Sequence, residues 1–254
     1  MSFEASRRGR PGLRQRRILR ALQVFALLTV ICAVTLAWQE SRPFVARLDT
    51  LAERTETILA TGPAPASFGE LPSSFARRAR LEGCVTDWHD VVTSGGDADL
   101  GRRMVAGCLD IARRNLTIAP ASSNDWMIAA SLASIVGDLA ATQAYLRRSL
   151  ATGPTEQWIA IRRAMLMYRL EDRLDPDLRA QVDDQFALLL RTENGVRSFA
   201  ERYVSDPSFR ERIVSVAEKL DPSYQKRFLV MVRSLLTPQP PANPPAEGAA
   251  APSN

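Results

Sequence analysis

The sequence predicts an all-α protein, an N-terminal transmembrane helix followed by a stack of antiparallel helical hairpins. Three observations lead there. Residues 21–38, ALQVFALLTVICAVTLAW, carry no charge over eighteen positions. Asp175-Pro176, Asp206-Pro207 and Asp221-Pro222 each precede an apolar-periodic segment, as an N-cap followed by a first-turn proline. The connections between such segments are short, which favours antiparallel neighbours.

The basic leader, residues 1–20, holds seven arginines and one glutamate, a charge of +6. The whole chain of 254 residues carries +5, so everything after the leader sums to −1. A nearly neutral main domain argues against a nucleic-acid partner, which would demand a basic patch of the domain's own. At about 1.5 Å per residue, residues 21–38 nearly cross a hydrocarbon core of roughly 30 Å. Ile18 and Leu19 extend the run, and Trp38 suits the far interface. The leader places the N-terminus in the cytoplasm and the main domain on the other side. A cleaved signal peptide is the competing reading, since Thr35-Leu36-Ala37 loosely resembles a cleavage site; the length of the apolar run favours an uncleaved anchor.

Residues 39–61 have helical apolar spacing (Phe44, Val45, Leu48, Leu51, Ile58, Leu59) and read as a juxtamembrane helix continuing the anchor. Residues 62–73, rich in Pro and Gly, form a linker. The main domain spans 74–236. Its first helices, 75–93 and 98–116, flank the turn SGGD. Cys84 and Cys108 each lie twelve residues from Gly96. An antiparallel hairpin therefore brings them to similar heights, where a disulfide and two buried free thiols are both open readings. Helices on either side of Gly137-Asp138 follow, then PTEQWIAIRRAMLMYRL and the three segments opened by Asp-Pro. Residues 237–254 are a Pro/Ala-rich disordered tail, either a spacer or a ligand for another domain.

Between 123 and 156 the spacing is specific. Trp126 and Ala130 are followed by Gly137-Asp138, then Leu146, Ser149, Leu150 and Pro154. This segment resembles a tetratricopeptide repeat, a helix–turn–helix unit of about 34 residues. Small residues let the two helices approach, Gly137 closes the first, Asp138 caps the second, and Pro154 opens the next helix. Thr142, Ala129 and Ala133 depart from the pattern and suggest a closely packed unit. One repeat length earlier, Cys108, Ala112, Leu116 and Pro120 give a partial second match. The resemblance implies a tetratricopeptide-like stack whose concave face binds partners. Residues 149–183 also look like a class of anchored, repeat-like envelope proteins of Gram-negative bacteria that accompany exported-polysaccharide machinery.

No catalytic constellation emerges. The single histidine, His89, stands in DWHDV beside Asp87 and Asp90 and reads as a partly exposed side chain among solvated acids. No CxxC or HxxxH suggests a metal, and no phosphate loop or nucleophile elbow is present, so no cofactor is implied. The acidic pairs Glu171-Asp172 and Asp183-Asp184 read as solvated helix faces. Arg147-Arg148 and Arg162-Arg163 lie on consecutive helices and form a candidate groove for an acidic peptide or an anionic sugar chain. The alternative is surface arginines with stems packed along their helices, and Trp126 and Trp158 read as core anchors.

The expected protein is a non-enzymatic, single-pass inner-membrane scaffold with a periplasmic helical-repeat domain. Its expected partners are inner-membrane or periplasmic proteins, polysaccharide synthesis or export components among them, and membrane lipid through the anchor. An envelope enzyme acting on glycans, or an assembly factor for another inner-membrane complex, is the alternative.

Overall fold

The computed structural model describes residues 13–60 and 73–237. Most of the leader, the linker up to residue 72 and the tail from residue 238 therefore lie outside the described residues. Among the described residues the chain is all-α, with eleven α-helices packed as adjacent pairs and two short 3-10 turns. It divides into two compact units, Met1–Arg114 and Asn115–Asn254.

In the first unit α1 runs over Leu13–Val45. Its apolar side chains from Ile18 to Trp38 are exposed, Phe25 to 70%. Thr29 and Thr35 donate to the carbonyls of Phe25 and Ile31 at 2.9 and 3.0 Å. The hydroxyls of these two threonines thus have partners within the helix. A 3-10 turn follows at Ala46–Leu48, then α2 over Leu51–Ala60. The single juxtamembrane helix expected over 39–61 is therefore two helices with a break at Asp49-Thr50. The cause is a capping box: Thr50 N–H donates to the Glu53 carboxylate at 2.8 Å, and Glu53 N–H returns to the Thr50 hydroxyl at 3.3 Å.

Helix α3 spans Ser74–Thr93 and α4 spans Ala98–Ile118. Between them Gly95 takes a φ of 78°. Gly96 N–H reaches the Val91 carbonyl at 2.9 Å, while Gly95 N–H reaches Val92 at 3.4 Å. This is a Schellman ending, which satisfies carbonyls a helix terminus leaves orphaned. A disulfide joins Cys84 to Cys108 across the pair, with the Cα atoms 5.7 Å apart. Arg54 of α2 pairs with the nearly buried Asp87 of α3 at 2.9 Å.

The second unit holds α5 (Ser123–Ile135), α6 (Leu139–Thr152), α7 (Gln157–Arg169) and α8 (Pro176–Leu190). After these come α9 (Glu193–Ser205), α10 (Pro207–Ala217) and α11 (Pro222–Leu236). Gly137, with φ 83°, repeats the ending seen at Gly95, as Asp138 N–H reaches Ala133 at 3.0 Å and Gly137 N–H reaches Ser134 at 3.2 Å. Asp138 then caps α6 by accepting from Ala141 N–H at 2.9 Å. Helix α9 is not among the segments that the apolar spacing picks out. Only Arg191 and Thr192 separate it from α8, and the Thr192 hydroxyl caps it by accepting from Gly195 N–H at 3.2 Å. Phe186, Phe199 and Phe209, with ring centroids 4.9–5.5 Å apart, knit α8, α9 and α10 into one core. Phe228 of α11 meets Tyr203 of α9 edge to face at 5.7 Å.

Candidate interaction surface

The residues of the repeat-like segment form a small polar knot inside an apolar pair. Ala130, Leu146 and Ser149 are fully buried. Ser123, at the start of α5, donates to the Ser149 carbonyl near the end of α6 at 2.8 Å, and Ser149 donates back to the Ser123 carbonyl at 3.0 Å. That reciprocal pair locks the two helices antiparallel. Thr142, at the place of a small residue, turns its hydroxyl back to the Asp138 carbonyl at 2.7 Å, so its buried hydroxyl has a partner.

Arg163 enters this knot from α7 and is 0% exposed. Its guanidinium donates to the Ser149 carbonyl at 2.7 Å, the Gly153 carbonyl at 2.9 Å and the Gln185 side-chain oxygen of α8 at 3.1 Å. Ser149 and Gly153 close α6, so the cation sits on the negative end of that helix. Burial pushes its pKa down to about 10, partly opposed by Glu156, and it stays charged at neutral pH. Arg147 is also engaged. It pairs with Asp175, and with Asp177 at 3.5 Å, and the Asp175 hydrogen bond raises its pKa.

The arginine groove expected from Arg147, Arg148, Arg162 and Arg163 is therefore not a common solvent-facing surface. Arg163 is an internal clasp of three helices, α6, α7 and α8, and Arg147 fastens α6 to the start of α8. Arg148 and Arg162 remain exposed. Trp158 is a second correction. It is 41% exposed rather than a core anchor, and on α7 it stands four residues before Arg162, on the same helix face. Trp126 is half-buried, donating to the Pro120 carbonyl at 2.8 Å beside Tyr145. Pro154 does not open α7. It lies in the turn before the Glu156 N-cap.

The acids behave differently from the solvated faces expected. Glu171 and Asp183 both pair with Arg212 of α10 at 2.7 Å, and Lys219 reaches Asp183 at 3.2 Å. These contacts tie α10 to α8 and its preceding turn. The carboxyls displaced from their ordinary range, those of Glu53, Asp206 and Asp221, are displaced downward by neighbouring Thr50, Ser208 and Ser223. His89 is 67% exposed at its side chain, with Nδ1 4.0 Å from Asp90. Asp87, beside it in sequence, is turned inward onto Arg54 instead. Among the described residues no cluster of three or more His, Cys, Asp or Glu is placed to hold a metal. An open apolar groove in the first unit runs between Leu51, Thr55 and Leu59 of α2 and Val91 and Leu100.

No family model, no curated protein and no solved structure matches this chain.

Proposed function

We propose that the chain is a single-pass inner-membrane protein of a Gram-negative envelope, with a cytoplasmic N-terminus and a periplasmic tetratricopeptide-like domain that holds a partner protein near the membrane. The observation that carries this reading is the pairing of α1, apolar and exposed over 18–38, with a disulfide in the helices that follow it. An apolar helix of that length is long enough to cross a membrane. A structural disulfide needs an oxidising compartment on the side away from the arginine-rich leader. The tetratricopeptide-like reading is supported by the α5–α6 pair, with its Gly-Asp turn and buried Ala130 and Ser149 at the close approach. The docking face is the exposed side of α7, where Trp158 and Arg162 stand together with residue types that concentrate binding energy at interfaces. The resemblance of residues 149–183 to anchored envelope proteins directs the search for partners to polysaccharide assembly or export.

The test is in vivo crosslinking and pull-down from native membranes, comparing the wild type with a Trp158→Ala/Arg162→Glu variant. A partner recovered with the wild type and lost with the variant supports the scaffold and its face. Equal recovery removes the face. Release of the chain from membranes by alkaline carbonate removes the anchor.

A further inference from the structure

Resting on the reading of α1 as an uncleaved membrane helix, we infer that the start of α3 and the end of α1 form a foot that binds the phosphate layer of the bilayer. The foot is built by two contacts. Glu40 of α1 accepts from Ser73 N–H at 2.7 Å and from the Ser73 hydroxyl at 2.5 Å, so the cap of α3 is bolted to α1. Phe44 of α1 then stacks on Phe75 of α3, ring centroids 5.3 Å apart.

These contacts fix the depth of α3. Glu40 is two residues past Trp38, about 3 Å along the helix. The difference between a hydrocarbon core of roughly 30 Å and a whole bilayer of about 40–45 Å leaves about 5–7 Å of headgroup layer per side. The cap of α3 thus lies within that layer. Phe44 is about 9 Å past Trp38 at its backbone. Helical side chains lean towards their own N-terminus, however, so the ring points back to the membrane. Phe75, in the first turn of α3, leans the same way.

Both rings are open to their surroundings, Phe44 to 41% and Phe75 to 65%. A soluble domain has no reason to display a stacked aromatic pair, whereas the interface accommodates one. Around the pair stand Arg47, Arg77, Arg78 and Arg80, against Glu40, Asp49 and Glu82. Glu40 is held by Ser73, and Glu82 shares Arg78 in an exposed pair that solvent and lipid phosphate can both compete for. Arg78 and Arg80 are exposed in the turns that follow Phe75, and their long side chains can reach back along the helix to lipid phosphates. The foot thereby sets the angle at which the first unit leaves the membrane, beyond the simple tether that an anchor provides.

The test uses the full chain in phosphatidylethanolamine–phosphatidylglycerol vesicles with nitroxide labels, read by collision with oxygen and with a water-soluble nickel chelate. Cys32, the free cysteine within α1, carries the first label. Ser74→Cys in a Cys32→Ser chain carries the second and leaves Phe75 in place. We expect the Cys32 label in hydrocarbon and the Ser74→Cys label at headgroup depth. We also expect the latter to move into water when Arg78→Gln and Arg80→Gln are added, which leave the Glu40–Ser73 cap and the Phe44–Phe75 stack in place. A Cys32 label in hydrocarbon with a fully water-exposed Ser74→Cys label overturns the foot alone. An unmoved Ser74→Cys label in the double arginine variant overturns it as well, since these side chains then do not make the contact. A Cys32 label in water overturns the anchor, and the foot with it.

Discussion

Replacing Arg163 by Met tests whether one buried cation organises the second unit. The substitution keeps an unbranched stem in a fully buried site and removes the three donors. Each hydrogen bond from a charged group contributes about 1.5–3 kcal/mol, so three give about 4.5–9. Holding the guanidinium charged at about 10 instead of its ordinary value costs about 3 kcal/mol, and Met relieves that cost. The Ser149 carbonyl is not orphaned, because Ser123 still donates to it at 2.8 Å and Gly153 N–H at 3.2 Å. Gly153 and Gln185 do lose a donor. The expected net loss is about 2–5 kcal/mol, or about 6–15 °C at roughly 3 °C per kcal/mol. Urea and thermal unfolding of the detergent-solubilised chain would measure it, with hydrogen exchange at α6 and α7 locating the loss. Adding Gln185→Leu separates the contributions. On the wild type it strips the Nε partner and destabilises, whereas on Arg163→Met it removes an orphaned buried amide and recovers about 1–3 kcal/mol. The folded pKa lies below the unfolded one, so the unfolded chain binds more protons above about pH 10. Stability from this group is flat below that pH and rises with pH only above it. A loss under 1 kcal/mol for Arg163→Met, or no coupling to Gln185, would refute the clasp.

The disulfide joins residues 24 apart, and chain entropy gives it about 3 kcal/mol. Reduction, or Cys84→Ser/Cys108→Ser, should lower the unfolding midpoint of α3 and α4 and leave protection in the second unit unchanged. Asp206 and Asp221 are N-caps with depressed pKa, held down first by Ser208 and Ser223. Their stabilisation is complete above the unfolded carboxyl value and lost as pH falls through the lower folded one. Asp206→Asn/Asp221→Asn keeps a capping side chain, so acid titration of helicity below about pH 4 should flatten while neutral stability holds. Gly137 and Gly195 should respond differently to Ala. At Gly137 a Cβ meets nothing within 4 Å, and the cost of about 1–2 kcal/mol is that of φ 83° alone, so Gly137→Asn should be milder. At Gly195 a Cβ runs into the Leu189 carbonyl, and Asn should bring no relief there. Thermal midpoints of the four variants decide both cases.

Positions governed by local rules were the legible ones. A capping aspartate, a proline in the first turn and a glycine past a helix end act within five residues of chain. The Gly137-Asp138 turn and the helices opened at Pro176, Pro207 and Pro222 follow directly from them. Asp175 shows where that locality stops. It sits at the N-cap of α8 without making a side-chain cap bond, because Arg147 holds its carboxylate from two helices away. Arg163 is the same effect at full strength. Its residue type reads as surface, and only the convergence of Ser149, Gly153 and Gln185 makes its burial tolerable. No window along the chain contains all four residues. Trp158 errs in the opposite direction, as an aromatic at helical spacing on the face that α7 turns to solvent. Both departures concern the same helix. α7 turns Arg163 to the interior and leaves Trp158 41% exposed, the reverse of what each residue type alone suggests. Its buried face is explained by the clasp, and its exposed face is what the crosslinking experiment interrogates.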